Sequence, residues 1–153
     1  MATHEDTRYE CYACDRAFRS RVFSLNRQFE RVTFGSPMPI VSVEHADGLA
    51  CYCSASCMNL HYPREMVKQQ VPIPALQPDV GPVEVCAICK GPVDMTRLHL
   101  TFILEECKDM GWCFQPTQSD CIAVVCDVCV PVAGEAAGNA VERREQAGEA
   151  TGL

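Results

Sequence analysis

Cys11-Tyr12-Ala13-Cys14 is answered after 38 residues by Cys53-Ser54-Ala55-Ser56-Cys57, and Cys86-Ala87-Ile88-Cys89 is answered after 36 residues by Cys126-Asp127-Val128-Cys129. The first cysteine of the second set stands 75 residues beyond the first cysteine of the first set. Two close pairs separated by a near-constant gap, occurring twice, describe a duplicated device. Four thiolates gathered by such pairs make a tetrahedral all-sulfur cage for Zn2+, with no coordination position left for water or substrate. The spacing predicts two zinc ions per chain, one held by Cys11, Cys14, Cys53 and Cys57 and the other by Cys86, Cys89, Cys126 and Cys129.

Length supports a staple. The chain has 153 residues and twelve cysteines, and two domains of about 70 residues each bury too little apolar surface to be comfortably stable without a metal or disulfides. The opening residues, Met1 to Glu10, are polar and lack the apolar segment of a secretory signal. The longest apolar stretch, Cys121 to Val132, is interrupted by Asp127 and too short to span a bilayer. A cytoplasmic setting follows as the expectation, and a reducing cytosol keeps thiols available for metal.

Working outward from the cysteines, residues 1–8 read as a polar leader and 9–70 as a first zinc module. Residues 71–83, with four of the ten prolines, read as a semi-rigid linker. A second zinc module follows over 84–131, and then a flexible or weakly helical tail over 132–153. In the first module, Val22–Phe34 is expected to make one or two short strands. Pro39–Val43 and Gly48–Tyr52 are expected as two more, separated by a turn at Ala46-Asp47-Gly48. Ser54 is the expected N-cap of a helix running to about Gln69, ended or bent by Pro63. In the second module Gly91 suits the turn of the cysteine knuckle. Leu98–Leu104 and Ile122–Cys126 read as strands, and Pro131 argues against a long following helix. The fold class is a small α+β zinc-stapled protein of two tandem modules.

The order knuckle, β-hairpin, helix carrying the last ligand resembles the treble-clef type of zinc finger. Tyr52-Cys53-Ser54-Ala55-Ser56-Cys57 is similar to the F/Y-C-S-x-x-C signature shared by bacterial gyrase-inhibitor-like zinc proteins and the TRASH and MYM finger groups. The resemblance covers residues 9–65, and the loop between its cysteine pairs is longer than in the smallest of these fingers. It implies a knuckle-hairpin-helix fold and a structural zinc; members bind proteins or metals, so it names no ligand. The second half is closer to a zinc ribbon or a rubredoxin-like knuckle pair.

The remaining cysteines and histidines carry weaker signals. Cys51 reads as a core residue, with metal ligation as its alternative. Cys107, Cys113 and Cys121 could compose a third metal site with His99, but they are spaced like no standard knuckle and read as buried or loop thiols. His61, four residues after Cys57, is an alternative ligand but more commonly a surface or capping residue. No catalytic motif is present, which points away from an enzyme.

The formal net charge is −7, which opposes non-specific binding to a phosphate backbone. One basic strip stands against it: Arg16, Arg19, Arg21, Arg27 and Arg31, with Glu30 the only acid among them. The segment around Trp112 and Phe114 reads as a loop able to present aromatic anchors to a protein partner. The leading functional expectation is therefore a non-enzymatic adaptor or regulator that binds a protein, with a nucleic-acid-processing enzyme bearing a basic groove as one candidate partner. The alternatives are a sequence-specific nucleic-acid binder using the arginine strip and an FeS4 electron carrier of the rubredoxin kind. No membrane association is expected.

Overall fold

In the computed structural model the described residues are 9–35, 37–73 and 81–130. The expected leader, most of the proline-rich linker and the expected tail lie outside them. The chain order is β1 (Tyr9–Glu10), β2 (Ala17–Phe18), β3 (Arg21–Thr33), β4 (Ile40–Tyr52), α1 (Ala55–Lys68), β5 (Val83–Val85), β6 (Pro92–Asp94), β7 (His99–Asp109) and β8 (Phe114–Val125). The protein is mostly β, with one helix among the described residues.

Each cysteine knuckle sits between two short antiparallel strands, β1 with β2 and β5 with β6. Each is followed by a long antiparallel hairpin, β3–β4 and β7–β8. The two hairpins join edge to edge into one four-stranded sheet of order β4-β3-β7-β8. At the seam, β3 and β7 run antiparallel, with Leu25 opposite Leu104, Arg27 opposite Phe102 and Phe29 opposite Leu100. The proline-rich linker therefore does not hold the halves apart. One apolar core takes in Leu25, Tyr52 and Met66 from the first half and Leu100, Phe102 and Val125 from the second.

The central position of β3 explains why its sequence alternates poorly. A strand flanked on both edges and covered on parts of both faces buries residues of either parity, and Val22, Leu25, Arg27, Glu30 and Val32 are all buried. It is a single strand of 13 residues, where one or two short ones are expected from the sequence.

The expected turn at Ala46–Gly48 is absent, and β4 runs through it. Two register shifts, between Leu25 and Asn26 and between Phe29 and Glu30, absorb the extra length as bulges. Asp47 is buried there because the guanidinium of Arg27 meets its carboxylate. The β7–β8 hairpin has shifts between Phe102 and Ile103 and between Glu106 and Cys107, each 77 residues beyond its counterpart in β3. The duplication legible in the cysteines thus extends to the bulges. In this second half the hairpin is longer than the expected strands: β7 reaches Asp109 and β8 begins at Phe114.

Ser54 caps α1 as its residue type dictates, its hydroxyl accepting from the Cys57 amide at 3.1 Å. Pro63 lies inside the helix, which continues to Lys68 rather than ending there. The inner face of α1 is anchored by Met66, 1% exposed. Its C-cap, Gln69, accepts from Arg27 across a 3.4 Å contact. No helix among the described residues is long and apolar enough to cross a membrane.

Candidate metal centres

The two knuckles share the same two backbone hydrogen bonds. Cys11 N–H donates to Arg16 O at 2.9 Å and Asp15 N–H to Cys11 O at 2.8 Å. Cys86 N–H donates to Gly91 O at 2.8 Å and Lys90 N–H to Cys86 O at 3.0 Å. The residue that must turn left-handed is Asp15 in one and Lys90 in the other, both at φ 63°. Gly91 is therefore not the turning residue. Its place is a close approach: a Cβ there would stand 3.3 Å from Cys89 Sγ, toward which the Gly91 amide points at 3.4 Å.

The knuckles are tied to the sheet in equivalent ways. Tyr12 N–H donates to Cys51 O at 3.0 Å, and Ala87 N–H donates to Val124 O at 2.9 Å. These bonds place each knuckle beside the end of its hairpin's outer strand, where the second cysteine pair begins. Cys53 follows β4 and Cys57 lies in the first turn of α1. Cys126 follows β8, and both the Cys129 and Val130 amides bond back to its carbonyl at 3.1 Å. The bond from Val130 has the i→i−4 pattern of a first helical turn.

Two groups of four sulfurs result, Cys11, Cys14, Cys53 and Cys57 in one and Cys86, Cys89, Cys126 and Cys129 in the other, with ligand atoms within 4.8 Å of one another. The geometry fits a metal and not a disulfide. Sγ–Sγ separations are 3.7 Å for Cys14–Cys53, 3.8 Å for Cys53–Cys57 and 3.8 Å for Cys89–Cys126. A tetrahedron with Zn–S bonds of about 2.3 Å has edges of about 3.8 Å, whereas a disulfide needs about 2.05 Å. All twelve cysteines are free. Both clusters are positioned to bind metal, and the eight sulfurs are those named by the sequence spacing.

The local electrostatics differ within each cluster. Burial pushes the Cys11 thiol up, but the amides of Cys53, Cys14 and Ala13 and the Cys14 thiol pull it down to about 6. Cys86 likewise comes to about 6, raised by burial and lowered more by the amides of Cys126, Cys89 and Ile88. Burial and thiol neighbours instead push Cys53 and Cys129 up to about 12. Backbone donors thus favour the thiolate at one sulfur of each cluster. A thiophilic ion bound by all four sulfurs would replace the thiol protons with positive charge. It would supply structural cross-linking and no open catalytic position.

The other sequence candidates separate cleanly. Cys51 is outside the first cluster, its thiol directed to Glu10 O at 3.4 Å. His61 is not a ligand; its Nδ1 lies 2.8 Å from Tyr52 Oη. Cys107, Cys113, Cys121 and His99 form no metal-ligating group among the described residues. Cys107 meets Glu105 Oε1 at 3.0 Å, and His99 Nδ1 meets Arg97 O at 2.8 Å.

The arginine strip is dispersed. Arg27 is 3% exposed and paired with Asp47, Arg31 pairs with Glu44 at 3.0 Å, and Arg21 with Glu106 at 3.2 Å. Arg16 and Arg19 remain exposed. Trp112 is 85% exposed in the turn between β7 and β8. Phe114, 49% exposed, stacks edge-on against Tyr9 at 5.8 Å. The segment expected as a loop is thus a hairpin tip, with only residues 110–113 outside strands. The buried Arg27–Asp47 pair was not legible in advance, since one arginine among several in a polar stretch gives no sign of facing inward.

Set against protein-family models, curated proteins and solved structures, the chain matches none. The chain is a small, mostly-β protein with two separate four-cysteine clusters positioned to bind metal.

Proposed function

We propose that the chain is a non-enzymatic, zinc-stapled adaptor or regulator that binds a protein partner through the β7–β8 tip, in a reducing compartment such as the cytoplasm. In this reading the first half is a treble-clef-like unit and the second a zinc-ribbon-like one, and zinc is the resident ion of both clusters. The observation that carries the reading is the contrast between closed and open chemistry. All four donors of each cluster face one another, leaving nothing at the metal to do catalysis, while the only tryptophan stands 85% exposed at a hairpin tip. Large aromatic side chains held at low entropic cost are favoured anchors of protein interfaces. The net charge of −7 favours a basic partner surface and fast association with it.

Nucleic-acid binding through the arginine strip is the weaker reading, because Arg27 is buried and Arg21 and Arg31 are already paired with carboxylates. An FeS4 electron carrier shares the same sulfur geometry and differs in the ion.

The test is affinity capture from a native lysate with wild-type and Trp112→Ala protein side by side. The adaptor reading expects the captured partner to be lost with Trp112→Ala, while zinc content and thermal midpoint stay unchanged. Equal capture by both proteins refutes the role given to the tip. A red colour in the purified protein would favour iron, and a steep salt dependence of DNA binding would favour the arginine reading.

A further inference from the structure

A cavity of about 210 Å3 opens on the face of the sheet where the two halves meet, lined by Glu30, Val32 and Val41 from the first half and by Met95, Thr101 and Ile103 from the second, with Ser119, Asp120 and Cys121 at one side. Two of its polar atoms are buried without partners. Glu30 is 4% and Thr101 is 3% exposed, and neither Glu30 Oε1 nor Thr101 Oγ1 has a hydrogen-bond partner. A buried carboxylate is costly unless something compensates it. No lysine, arginine or histidine lines the cavity.

We propose that this cavity is a binding site for a cationic nitrogen on a short apolar stem, an alkylammonium or alkylguanidinium group such as a lysine or arginine side chain carries. The charge follows from the lining: Glu30 and Asp120 repel an anion, and a neutral apolar guest would leave Glu30 Oε1 and Thr101 Oγ1 unpaired. The stem follows from Val32, Val41, Met95 and Ile103, which offer apolar wall to methylenes. A thiophilic or imidazole-bound metal is not favoured, because among the described residues only the two four-cysteine groups bring three His, Cys, Asp or Glu ligand atoms together. The site needs both halves, since its buried acid, Glu30, comes from β3 and its buried hydroxyl, Thr101, from β7. It does not rest on the adaptor reading and stands apart from the Trp112 tip in sequence and in lining.

The experiment uses full-length, zinc-loaded protein and 1H–15N spectra recorded during titration with N-acetyl-lysine amide, N-acetyl-arginine amide and the neutral N-acetyl-norleucine amide. Saturable shifts are expected at residues 30, 101, 103 and 121 with one or both cations and not with norleucine. Glu30→Gln should weaken the cation by at least about tenfold with both zinc ions retained. Thr101→Val gives a second, isosteric variant should the first fail to fold, and it should weaken the cation severalfold. A short extended peptide with a central lysine separates the sources: tighter binding than the single residue assigns the site to a partner's side chain, and equal binding to a free amine. No saturable shift at about 50 mM cation, equal binding of norleucine, or unchanged affinity in the folded variants overturns the proposal.

Discussion

Leu25→Ala probes the seam between the duplicated halves. Leu25 is fully buried on β3 and faces Leu104 of β7, itself 7% exposed. Truncation removes the isopropyl group from a site that neighbouring strands hold open, so the cost is a transfer loss plus a cavity, about 3 kcal/mol. For a single domain of about 150 residues that is about 10 °C in thermal midpoint. The consequence specific to this fold is where the loss is felt. Because Leu25 belongs to the same core as Phe102 and Val125, the substitution should lower the stability of both halves together. Guanidinium melts of zinc-loaded protein, followed by circular dichroism and by a chromogenic chelator that reports metal release, should show both zinc ions leaving in one transition at lower denaturant. Leu60→Ala on α1, where the side chain is 79% exposed, should change the stability by less than about 0.5 kcal/mol. Two separate release steps, with Leu25→Ala shifting only the first, would refute the shared core.

Arg27→Ala takes the guanidinium from a buried carboxylate and should cost about 3–5 kcal/mol by denaturant melt; a change below about 1 kcal/mol would contradict burial of the Arg27–Asp47 pair. Ser54→Ala removes the cap whose hydroxyl holds the Cys57 amide at 3.1 Å. It should cost about 1 kcal/mol and speed metal loss from the first cluster more than from the second, as chelator competition would show; equal rates would dissociate the cap from the site. Thiol labelling of zinc-loaded protein tests the bystander cysteines. Burial, with Glu105 for Cys107 and Glu30 for Cys121, pushes both thiols up to about 12. A raised pKa keeps the unreactive protonated form, so labelling at about pH 8 should be slow and should accelerate as pH climbs toward the raised pKa. Labelling at that pH as fast as a free cysteine would contradict the environment assigned to them.

The parts of the fold that could be read in advance are those governed by local chemistry. Paired cysteines named both clusters because a four-sulfur cage constrains spacing directly, and Ser54 named the start of α1 because a cap is a property of one residue and the turn after it. The β3–β7 seam was not legible: pairing between residues 69 to 87 positions apart leaves no spacing rule, and four prolines between the halves argue for separation. The turn expected at Ala46–Gly48 shows the same limit. Asp47 and Gly48 are good turn formers, yet Asp47 is drawn inward by a buried Arg27 that only the tertiary structure supplies, and a bulge takes up the slack. Glu30 and Thr101 likewise become a site only when the seam forms.

Two separate four-sulfur metal centres, built by the duplicated cysteines, are the feature on which everything else here depends. Zinc K-edge X-ray absorption on metal-replete protein, combined with native mass spectrometry, tests them most directly. Two zinc ions per chain are expected, with a first shell of four sulfurs at about 2.3 Å and no nitrogen or oxygen. One ion per chain, or a shell containing light atoms in place of sulfur, would contradict that expectation.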